Sequence, residues 1–151
     1  MAESLRSIVI AFEGGKLLLP SSLVVEVLPS ARPLRMENAP PWVVGSILWK
    51  SLTTPIISLE RLIFRTSPDL AIHSRIVMIN ALGADPKLRN FGLLALEPPQ
   101  QIDLQRTDIE RLETDEPPLP GVACRVRMNK RQALIPDLSA VESVLGRLMR
   151  A

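Results

Sequence analysis

The sequence predicts a mainly β protein made of two related sub-barrels with an amphipathic C-terminal helix, and three observations lead there. Short apolar, β-branched runs recur along the 151 residues, each ended by a turn signal. Fourteen prolines and seven glycines are spread rather than clustered, so the chain is cut into many short elements. A third observation is an internal echo in which a Pro-rich loop, a Gly, two strands, a polar cap and a helical turn follow in the same order twice. It runs from Gly45 to Ser58-Leu59 and from Gly121 to Asp137-Leu138. The two Gly-to-cap spacings differ by three residues, which a longer hairpin at 129–132 would absorb. One domain over 1–151 is expected, with the sub-barrel boundary near 64–72 and the C-terminal helix packing back.

In chain order, Ser7-Ile8-Val9-Ile10-Ala11-Phe12 stops at Glu13-Gly14-Gly15 and Lys16-Leu17-Leu18-Leu19 follows, which reads as a β-hairpin. A third strand covers 23–27. Residues 29–41 carry Pro29, Pro33, Pro40 and Pro41 and read as loop or edge. Residues 42–49 and 52–57 form a strand pair turning at Lys50-Ser51, and Ser58 N-caps a short helix over 58–63. Strands resume at 74–82 and, after the turn Gly83-Ala84-Asp85-Pro86, at 90–96. A further strand is read at 101–104, a helical turn or loop at 108–115, and irregular chain at 116–121, where prolines forbid regular structure. The last pair is 122–128 with 132–135. Leu138, Val141, Val144, Leu145 and Leu148 then share one face at helical spacing. Ser139 and Glu142, three apart, read as a capping box for that helix.

Composition narrows the function. Hydrophobic residues make up 46% and charged residues 23%, enough to bury a core. The net charge of +2 gives little pull toward phosphate backbones. Aromatics are 3% with no Tyr, too few for the stacking platforms of a single-strand nucleic-acid barrel. With one Cys, Cys124, no intrachain disulfide can form, and a reducing compartment fits. The apolar run at 8–12 is shorter than the roughly 7–15 residues of a signal peptide and the ~20 of a spanning helix. A cytoplasmic protein without membrane insertion is expected.

The residues that carry chemistry form no recognised constellation. Cys124 and His73 are the single Cys and the single His, some fifty residues apart and in no motif. A Cys–His enzyme stays open only if folding brings them together; otherwise Cys124 is a small apolar residue in a strand. One Cys and one His do not make a structural zinc site. The acidic groups Asp103/Asp108/Glu110 and Glu113/Asp115/Glu116 lack the spacing of a calcium loop, and Gly14-Gly15-Lys16 lacks the rest of a phosphate-binding frame. No catalytic residue, metal or cofactor is assigned. Arg125 and Arg127 alternate with Val126 and Met128, which puts the arginines on a solvated face. Trp42 and Trp49 are either binding anchors or core fillers.

From residue 23 to 59 the chain resembles the CheW-like chemotaxis coupling domains. The residues that carry the resemblance are Val24-Val25-Glu26-Val27, then Pro40-Pro41-Trp42-Val43-Val44-Gly45. After them come Ser46-Ile47-Leu48-Trp49-Lys50-Ser51 and Pro55-Ile56-Ile57-Ser58-Leu59-Glu60. Ala133-Leu134-Ile135-Pro136-Asp137-Leu138 resembles the closing strand and helix start. The family's Asn, Leu, Arg and Gly are replaced by Leu48, Trp49, Lys50 and Ser51, and its Asp and Arg by Ser58 and Glu60. Lys50 keeps a charge without the guanidinium fork, and Ser51 in place of Gly argues against a positive φ there. Trp49 and Ser58 look like the ChpC-type proteins of type IV pilus and twitching-motility systems.

The resemblance implies two packed five-stranded SH3-like barrels and a non-catalytic adaptor. Its implied partners are a histidine kinase regulatory domain and a methyl-accepting chemoreceptor. It carries partner binding over to Val24, Glu26, Gly45 and Lys50; Trp42 and Trp49 join them as anchor candidates. Alternation along 25–27 exposes Glu26, whereas Val24 has a core alternative and Gly45 a backbone one.

Overall fold

The computed structural model describes residues 4–66, 73 and 75–150. Strands β1 (Ser4–Phe12) and β2 (Gly15–Pro20) form the first hairpin, and β3 (Val24–Pro29) follows a 3-10 turn. The next hairpin is β4 (Val43–Trp49) with β5 (Leu52–Ile57), leading into helix α1 (Leu59–Phe64). After it come β6 (Arg75–Asn80), β7 (Asn90–Ala95), β8 (Gln100–Gln105), β9 (Ile109–Leu112), β10 (Val122–Met128), β11 (Arg131–Pro136) and helix α2 (Leu138–Arg150). The strands fall into two SH3-like units. One sheet runs β8-β1-β2-β11-β10-β9 and the other β3-β6-β7-β5-β4. The chain therefore enters the second sheet at β3 and leaves it at β7. Most of the 64–72 stretch lies outside the described residues.

Strand β9 replaces the helical turn or loop read at 108–115. Its apolar ends Ile109 and Leu112 are half-buried, and it pairs antiparallel with β10 from Met128↔Ile109 to Arg125↔Leu112. Four residues with charges at 110 and 111 carry no local strand signal; the partner strand supplies it.

The runs that read as uniformly apolar are strands buried on both faces. Ile8, Ile10 and Phe12 of β1 and Leu17 and Leu19 of β2 enter the large cluster between the sheets, while Val9 and Leu18 turn into the first barrel. In the second barrel Val77, Ile79, Phe91, Leu93 and Ala95 face the shared cluster, and Ile76, Met78 and Leu94 face inward. Alternate residues thus serve different cores, and a polar residue fits neither side. The shared cluster also takes Leu59, Leu62 and Ile63 from α1 and Leu138, Val141 and Leu145 from α2.

The internal echo is real, in a different register. The Ser58 N–H donates to the Trp42 carbonyl at 2.8 Å and the Asp137 N–H to the Gly121 carbonyl at 2.8 Å. Val43 and Val122 each donate back to the residue three before, Pro40 and Leu119. Gly121 therefore corresponds to Trp42, not Gly45. The cap follows by the same sixteen positions in both copies (42 to 58, 121 to 137), and no longer hairpin is needed. β-Bulges sit at corresponding places, Val43/Gly45 and Val122/Cys124. Parallel pairings correspond too, β5 to β7 and β11 to β2.

Each helix uses a buried glutamate to hold a hairpin of the opposite barrel. Glu60 on α1, fully buried, accepts at Oε2 from the Glu13 N–H of the β1–β2 turn at 2.7 Å and from His73 Nε2 at 3.0 Å. Ser58 Oγ donates to its Oε1 at 3.2 Å and accepts from the Arg61 N–H, so Ser58 is the N-cap that the sequence predicts. Glu142 on α2, also fully buried, accepts from three successive N–H groups in the β6–β7 connection: Leu82 at 2.8 Å, Gly83 at 3.0 Å and Ala84 at 3.3 Å. Glu142 is thus no capping-box partner of Ser139, which lies inside the helix. The helix is capped two residues earlier by Asp137, whose Oδ1 accepts from the Ala140 N–H. A carboxylate facing three converging donors gains more there than from the exposed start of its own helix.

Gly146 and Arg150 extend this contact at four-residue steps along α2. A Cβ on Gly146 would collide with the Asp85 carboxylate, and Arg150 pairs with that carboxylate. The Lys87 N–H holds the Asp85 carboxyl below its usual range; burial opposes this and Arg150 adds to it.

Burial pushes the Glu60 carboxyl up, but hydrogen bonds from His73 and the Glu13 N–H outweigh it, so its pKa lies below the ordinary 4.5. Its contribution to stability is therefore present above about pH 4.5 and lost as the pH falls through the lower folded value. We expect stability between pH 5 and 3 to fall less steeply in Glu60→Gln than in the parent, measured by urea unfolding at several pH values. Glu142→Ala, which removes the acceptor of three N–H groups, should cost on the order of 1–2 kcal/mol, read from the urea midpoint at pH 7.

Candidate partner-binding site

The six residues singled out in the sequence occupy different depths. β3 and β4 are the outermost strands of the five-stranded sheet, yet Trp49 Nε1 on β4 donates to Glu26 Oε2 on β3 at 2.7 Å. The sheet has curled until its edges meet. Trp49 is 8% exposed and packs with Ile56, Ile76, Met78 and Leu94 inside the barrel, so it is a core residue with its one polar atom spent on the seam. Leu28 of β3 and Val44 and Ile47 of β4 pack against the same cluster. Glu26 is exposed, but so are Val25 and Val27 on either side of it, so the alternation read along 25–27 does not decide its exposure.

Lys50 follows Trp49 in the β4–β5 turn, and its Nζ lies 4.6 Å from the Trp49 ring centroid. Lys50 and Ser51 have φ of 50° and 66°. This corrects the expectation drawn from Ser51. The two-residue hairpin forces both turn residues into the left-handed region, because only a turn of that hand matches the strand twist. Ser51 occupies it at a steric cost that a glycine would avoid.

Gly45 serves the backbone. It sits at the β4 bulge with φ 151°, and a Cβ there would lie 2.3 Å from the Leu34 carbonyl oxygen. That approach lets Leu34 and Ser46 exchange both backbone hydrogen bonds, at 2.9 and 2.8 Å. A single bridge here takes the place that β9 holds against β10 in the other sheet. Val24 is half-buried against the shared core. Trp42 is half-buried against the same core, just before β4.

The structure brings together Glu26, Trp49 and Lys50, and leaves Val24 and Trp42 against the shared core and Gly45 at the β4 bulge. It also shows what the sequence reading missed. Leu48 is 77% exposed and Leu34 76%. Leu34 opposes Ser46, and Leu48 lies two residues farther along β4, so both stand on the outer face. Val25 and Val27 of β3 are exposed across the seam. Four apolar side chains outside, framed by Glu26 and Lys50, make a surface of the kind that protein partners cover. The only signal in the sequence was the apolar residue at 48, where a polar one was the expectation of the motif.

His73 is 2% exposed and engaged with Glu60, whereas Cys124 is half-buried in β10 against the core of the first barrel. Their surroundings differ, and each has a structural use. Val126 and Met128 point inward as expected. Arg125 and Arg127 lie on the opposite, solvated face as expected, where they meet Glu116 and Glu110 at 2.6 and 3.4 Å. Among the described residues no group of three or more His, Cys, Asp or Glu is placed to hold a metal ion. No helix among them is long and apolar enough to cross a membrane.

A sequence model described as "CheW-like domain" matches residues 6–144. The chain belongs to the CheW-like domain family. No curated protein sequence matches it significantly. Among solved structures, it is similar to the scaffolding protein TtCheW from Thermoanaerobacter tengcongensis. That likeness has 18% identity and a TM-score of 0.75, and covers 97% of this chain and 96% of the other. At that identity the likeness concerns the fold. The two-barrel CheW-like fold is what draws β3 and β4 into one seam in this chain.

Gly45→Ala should lose on the order of 2 kcal/mol, because the added methyl has to push the 33–34 loop off the β4 edge. Thermal unfolding checks this; an unchanged midpoint would mean the bridge is dispensable.

Proposed function

We propose that this CheW-like domain is a non-catalytic, cytoplasmic chemosensory adaptor that couples receptors to a histidine kinase, in a pilus-linked twitching-motility system. Three observations support the reading: the family match over 6–144, the similar TtCheW bearing the description of a scaffolding protein, and the exposed apolar seam between charged Glu26 and Lys50. The seam carries the most weight, since exposed leucines at 76% and 77% cost solubility unless something covers them. The pilus-linked assignment rests on the resemblance at Trp49 and Ser58.

In this reading the six residues divide by exposure. Glu26 and Lys50 touch the partner directly, with Leu48 and Leu34 beside them. Trp49 fixes both, through its N–H to Glu26 and its ring beneath Lys50. Gly45 and Val24 hold the backbone and the base of β3 in place, and Trp42 opens onto a separate cleft. The implied partners are a kinase regulatory domain and the cytoplasmic tip of a methyl-accepting receptor.

The test is calorimetric titration of the chain with the regulatory domain of a chemosensory histidine kinase from the same source, and with a soluble chemoreceptor fragment. Binding to at least one is expected, weakened about tenfold or more by Leu48→Glu or Lys50→Glu with the unfolding midpoint unchanged. Binding to neither at 100 µM protein, a level well above ordinary signalling affinities of about 1–10 µM, would overturn the proposal.

A further inference from the structure

A second recognition surface lies away from the seam. A cleft of about 490 Å³ opens between α1 and the two corresponding loops that precede β4 and β10. Its walls are Pro41 and Trp42 on one side, Leu62 on the helix and Pro120 on the other loop, with Arg61 and Arg65 at the helix end. That volume is in the range of sites that take a side chain or short peptide. Thr66 completes the lining, and among the described residues no acidic side chain lines the cleft.

The two arginines are arranged for an anion. Arg61 Nη1 donates to the Pro41 carbonyl at 3.1 Å, which fixes its guanidinium across the cleft, while its Nε is buried without a hydrogen-bond partner. A guanidinium held in place in this way is matched better by a carboxylate than by a neutral acceptor. Arg65, one turn on, is exposed and forms no ion pair with the described residues. It is the C-cap of α1 at φ 55°, a left-handed position where glycine is the cheaper residue. A long cationic side chain is kept there against the backbone preference.

We infer that this cleft binds an acidic, extended segment of a partner protein, with a carboxylate on Arg61 and Arg65 and a neighbouring apolar side chain against Trp42 and Leu62. Charge complementarity selects this occupant: two guanidiniums, no opposing carboxylate among the described residues, and a single aromatic wall. A nucleic-acid strand fits less well, because one half-buried indole offers no run of stacking faces. The inference does not depend on the chemosensory reading. It concerns a different face, and it stands or falls on the cleft alone.

The experiment uses the full chain and a blocked Glu-Leu-Glu-Leu-Glu peptide, with its Gln-Leu-Gln-Leu-Gln counterpart and an eight-nucleotide thymidine oligomer as comparisons. Binding is read by calorimetry and by tryptophan emission. Trp42 and Trp49 are the two tryptophans, and Trp49→Phe isolates the first. The acidic peptide should bind with a Kd on the order of 100 µM, shift the Trp42 emission, and bind at least about fivefold tighter than the Gln peptide. Arg61→Gln and Arg65→Gln should each weaken it about fivefold or more. Arg65→Gly should do the same while raising the unfolding midpoint, which separates lost recognition from lost folding. Equal binding of the two peptides, retention of binding in the Arg61→Gln/Arg65→Gln double variant, tighter binding of the oligonucleotide, or no signal at 1 mM peptide, about ten times the expected Kd, would each overturn the inference.

Discussion

The two barrels are held by a reciprocal exchange of buried carboxylates on which the rest of the architecture depends. Glu60 leaves the helix after β5 to hold the β1–β2 turn, and Glu142 leaves the helix after β11 to hold the β6–β7 connection. Each helix follows the hairpin of one barrel and is anchored to the other. Neither barrel can shift without exposing donors that only the opposite helix satisfies. The shared apolar cluster supplies most of the burial, but apolar contacts are non-directional. Hydrogen bonds from named N–H groups fix how far each helix slides and turns. Ser58, His73 and Gly146 serve that placement, either by donating to a glutamate or by making room for the loop it holds.

With the barrels fixed, their outer surfaces are determined by how each sheet closes. The five-stranded sheet ends in β3 and β4, whose edges would otherwise offer unpaired backbone groups to any passing strand. Trp49 closes this gap from inside by filling the barrel with its ring and reaching Glu26 with its N–H. The price is that Leu48, the neighbour of Trp49 in a strand, must point outward. Exposure of Leu48 and burial of Trp49 are one fact seen from two faces of β4. The same alternation puts Lys50 over the indole once the tight turn begins. An exposed apolar surface beside the seam is thus a geometric consequence of closing the barrel with a large residue, and Gly45 preserves it by letting the 33–34 loop reach the strand.

Correspondence between the two halves explains why one face is sheltered and the other is open. β4–β5–α1 and β10–β11–α2 repeat their caps, bulges and parallel pairings, yet β10 is covered by the four-residue strand β9 and β4 only by one bridge at Leu34. The incomplete cover leaves β4 available. Gly121 in the place of Trp42 has a comparable effect at the cleft. With no side chain there, the second loop approaches Leu62 of α1 closely, while Trp42 builds the opposite wall. Small departures from symmetry, more than the symmetry itself, distinguish the surfaces on which function is proposed.

Most strands, the three tight hairpins, the Ser58 cap and the apolar face of the last helix follow from the sequence, because each rests on neighbours within a few residues. Runs such as Ser7-Ile8-Val9-Ile10-Ala11-Phe12 need no distant partner to declare themselves apolar. What escaped was set by contacts across the chain. Strand β9 exists because β10 lies beside it, and Ser51 takes a positive φ because two strands meet at that spacing. Glu142 looked like the partner of Ser139, three residues away. It belongs instead to Leu82, Gly83 and Ala84, some sixty residues earlier. Local propensity reads what a segment prefers alone. Only the tertiary structure decides which donors a buried carboxylate meets, and those long-range pairings place the helices.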